Sequence, residues 1–174
     1  SAQIILNTYE EFELSKVLFD YGDFKNSKLI AKSIIEYRKK KKIKYNSDLI
    51  EISNNLFDKK VNYKFLSRLF QSIRIEVNDE INALKEMLIK TKDMLNPKGR
   101  LVIISYHSIE DRIVKNFFNK SNFDSNYKTD FYGNRKLFFN SIYKKPLIPS
   151  TDEVKLNIRS RSAKLRIGEL VWIN

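Results

Sequence analysis

The stretch Arg100-Leu-Val-Ile-Ile-Ser-Tyr-His-Ser-Ile-Glu-Asp-Arg-Ile-Val-Lys115 decides how the rest of the chain is read. Leu101 to Ile104 is a continuous apolar run containing β-branched residues, and Asn96-Pro97-Lys98-Gly99 ahead of it is a turn signal. A strand of this composition is expected to be covered on both faces, as strands of α/β sheets are. The polar residues after it open a helix. They emerge at the strand's carboxyl end, the edge where open α/β sheets bind ligands, so His107, Ser108, Glu110, Asp111 and Arg112 are placed where chemistry usually occurs.

Two readings of this turn stand side by side. Ser108 followed three residues later by Asp111 has the form of a capping box, in which a hydroxyl satisfies an orphan backbone N–H and acids favour the positive helix end. His107, the only histidine, is suited either to hydrogen-bond a base or phosphate or to hold the turn. A hydrolase relay is disfavoured. Ser, His and Asp so close in sequence cannot fold back on one another, and the glycines of a G-x-S-x-G elbow are missing around Ser108.

Composition bounds the alternatives. The chain has 174 residues and 42% hydrophobic content, enough for one domain or a domain and a half with its own core. It contains no cysteine and a single histidine, which excludes disulfides, thiolate metal sites and histidine clusters. Neither a signal peptide nor a long apolar run is evident, so a soluble cytoplasmic protein without membrane or metal is expected. The formal net charge of +12 points to a polyanion. Lysine accompanies Asn, Ile, Tyr and Phe, a bias that AT-rich coding alone produces, so arginine is the better witness. Nine of the 33 basic residues are arginine, and three lie within Arg159-Ser-Arg-Ser-Ala-Lys-Leu-Arg166. Clustered guanidinium groups with interleaved hydroxyls suit phosphate contacts.

The first part of the chain reads as helices. Thr8 with Glu11 forms a capping box, Phe12, Leu14, Val17, Leu18 and Tyr21 supply an apolar face, and Gly22 is placed to stop the helix. A second helix starts at Asp23 and ends in the basic run Arg38 to Lys44, which suits ordinary carboxyl-end capping or RNA. A third opens at Ser47. From Phe65 to Leu95 the apolar positions keep a helical period, as one helix or as two joined near Asn78-Asp79. Gly133 marks a turn in a loop-like stretch. Two further strands are expected, Leu137–Tyr143 and Ala163–Ile173, separated by Pro146, Pro149 and a short helix at Thr151–Leu156. The inventory is therefore about three strands. The four glycines, at 22, 99, 133 and 168, form no G-x-G pair, so no nucleotide-cradling loop is present.

Three runs in order, Phe70-Gln-Ser-Ile-Arg-Ile-Glu-Val-Asn-Asp-Glu80, Tyr106-His-Ser-Ile-Glu-Asp-Arg-Ile-Val-Lys115 and Arg161-Ser-Ala-Lys-Leu-Arg166, resemble the bacterial 16S ribosomal RNA cytosine-N4 methyltransferase H family. Weaker similarity at Asn7-Thr-Tyr9, Tyr21-Gly22, Ile30-Ala31, Asp130-Phe-Tyr-Gly-Asn134, Lys144-Lys-Pro146 and Pro149-Ser150 extends the resemblance over nearly the whole chain. Lys98 departs from the family's usual glycine, and Ile158 from a frequent proline.

The resemblance implies an α/β fold of the class I methyltransferase type, with residues 1–62 most of a helical RNA-recognising insertion and residues 63–174 the carboxyl-terminal part of a Rossmann-like catalytic domain. It implies S-adenosylmethionine as cofactor and 16S ribosomal RNA in the small subunit as partner, with methyl transfer to the exocyclic amine of a cytidine in the decoding region. The family's glycine-rich loop, acidic ribose-binding position and adenine-pocket turn have no counterpart here, so no cofactor-binding residue is assigned and the chain alone is expected to be inactive. His107 and Ser108 would border the target base as catalytic residues, and Arg74, Asn78, Arg112, Arg159, Arg161, Lys164 and Arg166 would bind RNA. The alternative is a non-catalytic RNA-binding or structural remnant.

Overall fold

The computed structural model describes residues 1–58, 60–123 and 137–171, which pack as two compact units, Ser1–Glu80 and Ile81–Asn174. Gly133, the Asp130–Asn134 run and the end of the expected last strand at 172–173 lie outside the described residues.

Amphipathic periodicity builds the first unit from five helices: α1 (Ala2–Thr8), α2 (Glu11–Gly22), α3 (Ser27–Lys40), α4 (Asn46–Phe57) and α5 (Tyr63–Asn78). Leu14 and Leu18 of α2, Ile30 and Ile34 of α3, and Leu69 of α5 are fully buried in a common core. Several ends differ from the sequence reading. The first helix is two: α1 ends at Thr8, and the box that opens α2 is Glu13 accepting the Glu10 N–H at 2.8 Å, not Thr8 with Glu11. Gly22 does not stop α2. It is the last helical residue, Asp23 takes the left-handed conformation (φ 54), and a Cβ on Gly22 would lie 2.5 Å from the Phe24 ring. The next helix starts at Ser27 rather than Asp23, because the chain turns first to bury Phe24.

Arginine has a structural role in this unit. Arg38 donates to the Leu6 and Tyr9 carbonyls at 3.2 and 2.6 Å, closing the carboxyl end of α1. Arg68 does the same for α2, donating to the Gly22 carbonyl at 2.8 Å and to that of Asp23, with its guanidinium 4.6 Å from the Phe24 ring. The long apolar period breaks where Asn78-Asp79 allowed it. Asp79 is left-handed (φ 51), and α6 runs from Glu80 to Met94.

The second unit holds a three-stranded antiparallel sheet in the order β1 (Arg100–Ser105), β3 (Lys164–Leu170), β2 (Phe139–Ser141). Helix α7 (Ser108–Lys120) packs on all three strands. Register fixes the two faces: Leu101, Ile103 and Ser105 stand opposite Gly168, Arg166 and Lys164, and Phe139 stands opposite Leu170. On that face Phe117, Phe118 and Phe139 are buried with their rings tilted against one another at 46–49°. Gly168 is obligatory there, since a Cβ would meet the Phe118 ring at 2.6 Å.

The expectation that β1 is covered on both faces is overturned. Its burial alternates, with Val102 and Ile104 each 52% exposed. An apolar run does not itself say how many layers cover it, and among the described residues α7 is the helix that packs across the strands, on the other face. The short helix α8 (Thr151–Leu156) and a 3-10 helix at Ile158–Ser162 complete the unit.

The turn ahead of β1 explains one departure from the resembled family. Gly99 N–H donates to the Asn96 carbonyl at 2.7 Å, and Lys98, third in this proline turn, has φ 64. Glycine enters that conformation without the Cβ penalty. Lys98→Gly is therefore expected to stabilise the chain by about 0.5–1 kcal/mol, measured by urea unfolding.

Candidate functional site

The sequence-predicted residues of the second unit converge on one end of the sheet. Ser105, the last residue of β1, stands opposite Lys164, the first of β3, and its hydroxyl donates to the Lys164 carbonyl at 3.3 Å. The chain leaving β1 enters the His107 turn. The chain entering β3 comes from the 3-10 helix that carries Arg159 and Arg161.

His107 is the N-cap of α7. Extended backbone persists through it (φ −134, ψ 160), and its Nδ1 accepts the Glu110 N–H at 3.4 Å. Glu110 completes the box by accepting the Tyr106 N–H at 3.0 Å and the His107 N–H at 3.4 Å. The capping reading thus holds with different residues: a ring nitrogen replaces the expected Ser108 hydroxyl, and Glu110 replaces Asp111. Because the strand's extended conformation continues one residue further, Ser108 becomes the first helical residue and is exposed. His107 Nε2 lies 3.2 Å from Glu110 Oε1 outside hydrogen-bonding geometry, and is buried without a hydrogen bond.

Asp111 turns instead toward the sheet. Its carboxylate accepts from Arg166 Nε at 2.7 Å and Nη2 at 3.3 Å, and from Lys164 Nζ at 3.2 Å. Arg166 is buried, and its guanidinium fork is spent on Asp111. The arginine cluster therefore splits by function: Arg166 is internal, Lys164 is half-exposed and paired, and Arg159 and Arg161 are exposed, as is Arg112 on α7. Sequence spacing alone did not separate them. Only strand alternation, which turns Lys164 and Arg166 to the α7 face, does so.

In the first unit Arg74 and Asn78 meet through a residue not singled out from the sequence. Glu80 accepts from Arg74 Nε and Nη2 at 2.9 and 3.0 Å and from Asn78 Nδ2 at 3.0 Å. The signal was its place at the end of the Phe70–Glu80 run. Nearby, Tyr9 donates to Glu76 at 2.8 Å, which together with burial raises the phenol above its ordinary value.

The described residues do not fit an S-adenosyl group. Gly22 packs under Phe24, Gly168 under Phe118, and Gly99 sits in the turn before β1, so none of these opens a strand-to-helix phosphate or nucleoside cradle. The strand-to-helix turn that does exist is filled by the His107–Glu110 box. Among the described residues no cluster of His, Cys, Asp or Glu could hold a metal, and no helix is long and apolar enough to cross a membrane.

Comparison with known proteins agrees along the whole chain. The sequence model of a family described as the MraW methylase family matches residues 1–171. A ribosomal RNA small subunit methyltransferase H of Flavobacterium johnsoniae is 43% identical over 98% of this chain. Proteins of the same name from Parabacteroides distasonis and Karelsulcia muelleri are 45% and 50% identical over 98% and 97%. The chain spans 56% of the length of each of these three relatives.

Burial pushes the Asp111 and Glu110 carboxyls up, but Arg166 and Lys164 beside Asp111, and the His107 side chain with the Tyr106 and His107 N–H groups beside Glu110, outweigh it and hold both below their ordinary values. Such groups stabilise fully above the ordinary carboxylate range, and the contribution is lost as pH falls through the depressed folded values. Stability is expected to fall on acidification from about pH 6 to about pH 3, measured as the urea midpoint. Asp111→Asn should cost about 3 kcal/mol at neutral pH, by leaving Arg166 buried without its counter-charge, and flatten the acid dependence.

Proposed function

The chain belongs to the MraW methylase family, and from this premise we propose that it is the carboxyl-terminal part of a methyltransferase acting on 16S ribosomal RNA of the small subunit. The proposed reaction is methyl transfer from S-adenosylmethionine to the exocyclic N4 amine of a cytidine in the decoding region. The observation that carries it is the convergence, at one end of the sheet, of the His107 turn with the exposed Arg159 and Arg161.

The ring conjugation of a cytidine amine makes it a poor nucleophile, so the chemistry asks mainly for alignment and for removal of a proton. This chain's part is the wall that presents the base. His107 and Ser108 border it from the first turn of α7, where the helix is capped and its direction fixed. Arg112, Arg159 and Arg161, exposed around the same end, contact the RNA backbone. Lys164 and Arg166 act through Asp111, holding the wall in place.

The methyl donor would be held by residues that this chain does not contain. Two features support that division: β1 is an outer strand, and its second face is apolar and half open at Val102 and Ile104. With the 56% coverage of the relatives, they suit a sheet that continues in further sequence. That the described residues form no cofactor cradle suits equally the second reading for the isolated chain, an RNA-binding remnant without chemistry.

Calorimetry separates the two. Residues 1–174 alone are expected to bind no S-adenosylmethionine, while a protein completed with the family's missing portion binds it and methylates small-subunit RNA; a completed protein that binds neither contradicts the enzyme reading. In the completed protein His107→Ala should lower turnover without loss of cofactor affinity. His107→Asn, which can still cap α7, distinguishes lost chemistry from a lost cap of about 1 kcal/mol. Arg161→Ala should weaken RNA binding and reduce its log–log salt slope by about 0.7 for each phosphate of a single strand that is no longer neutralised.

A further inference from the structure

A cavity of about 280 Å³ opens in the first unit between α1, α4 and α5. Its walls are apolar, from Leu6, Leu49, Phe70 and Ile73, and its rim is polar, from Lys44, Tyr45, Asn46 and Arg74. A volume near the lower end of the range of about 300–1,000 Å³ for small-ligand pockets suits a single flat ring rather than a whole nucleotide.

The rim is built, not incidental. Asp48 accepts the backbone N–H groups of Lys44 and Tyr45 at 2.8 and 2.9 Å and is itself locked by Lys41 at 2.9 Å. Gln3 donates to the Lys44 carbonyl at 2.9 Å, and Asn7 pairs with both backbone groups of Ile43 at 2.9 and 3.0 Å. While the backbone of this segment is fixed on both sides, its side chains are left over. Tyr45 is 70% exposed, and neither the Lys44 ammonium nor the Asn46 amide has a partner among the described residues.

We propose that this cavity takes one unpaired nucleobase of an RNA strand. The ring enters the apolar slot and stacks on Tyr45, the Asn46 amide reads the polar edge of the base, and Lys42 and Lys44 take the flanking phosphates. Charge selects this occupant over an apolar peptide side chain. The carboxylates nearby are already engaged, Asp48 by Lys41, Glu80 by Arg74 and Asn78, and Glu76 by Tyr9, so Lys44 stands uncompensated on the rim beside an aromatic ring, with the exposed Lys42 two residues before it. The inference rests on the reading of RNA as substrate and adds a second contact, in the helical unit, that lies outside the wall around His107.

The test is fluorescence anisotropy of residues 1–174 with a single-stranded oligoribonucleotide of about seven nucleotides, against oligonucleotides of equal charge carrying one abasic position. Removing the seated base is expected to weaken binding about tenfold, as is Tyr45→Ala, whose exposed position leaves the fold intact by circular dichroism. Val77→Trp, at the mouth of the cavity, should block the quenching of a 2-aminopurine probe. Equal binding of intact and abasic strands, or an unaffected Tyr45→Ala, overturns the proposal in favour of charge alone. In the completed protein, radical labelling of Tyr45 should fall only when RNA is added; protection without RNA means that the protein's own chain fills the cavity and likewise overturns it. The functional reading is judged separately by methylation of small-subunit RNA. Active protein with neutral cavity variants rejects the cavity alone, whereas base-dependent binding without methylation rejects the activity alone.

Discussion

The bond from Asp111 to Arg166 and Lys164 is the constraint on which the second unit depends. It ties the first turn of α7 to the start of β3, two segments more than fifty residues apart in sequence, at the end of the sheet where the candidate groups of this unit lie. A buried carboxylate with two cations is not a strong source of stability, because desolvation opposes most of its attraction. What it supplies is position. With Asp111 fixed, the His107–Glu110 box can set the direction of α7, and the exposed Arg159 and Arg161 enter β3 beside the same turn. The aromatic packing of Phe117, Phe118 and Phe139 then holds the far end of the helix on the sheet, closely enough that β3 must carry glycine at 168.

The helical unit is organised by a different device. Its helix ends are closed by side chains: Arg38 of α3 on the carbonyls closing α1, Arg68 of α5 on those closing α2, and Asp48, within α4 itself, on the amides just before that helix. Charged residues that composition alone would assign to a polyanion partner are thus divided. Arg38, Lys41 and Arg68 are structural, while neighbours such as Lys42 and Lys44 face solvent. Net charge is a sum over both kinds and cannot apportion them.

Much of the element inventory was legible from the sequence. The strand at Arg100–Ser105, the helix opening at Ser108, the break at Asn78-Asp79 and the short helix Thr151–Leu156 follow from periodicity and turn chemistry, which are local. Helix starts were read less well. Thr8 and Ser108 are the hydroxyl residues that a capping rule selects, yet Glu10 and His107 occupy the N-cap positions, because the backbone conformation fixed by neighbouring packing decides which residue is half in the helix. The partial cover of β1 was hidden for a similar reason: an apolar run states what could be buried, and only the layers present state what is.

By itself the sequence determined the kinds of element, their order, the family and the chemical classes without the residues they need, since these depend on residue type and short spacing. Tertiary structure alone decided which of the clustered cations are free. Arg159, Arg161, Lys164 and Arg166 look alike as a string. Two-residue alternation in β3 and the approach of Asp111 from α7 bury the last, while the first two, on the 3-10 helix ahead of the strand, stay in solvent, and no local rule contains the position of a carboxylate fifty-five residues away.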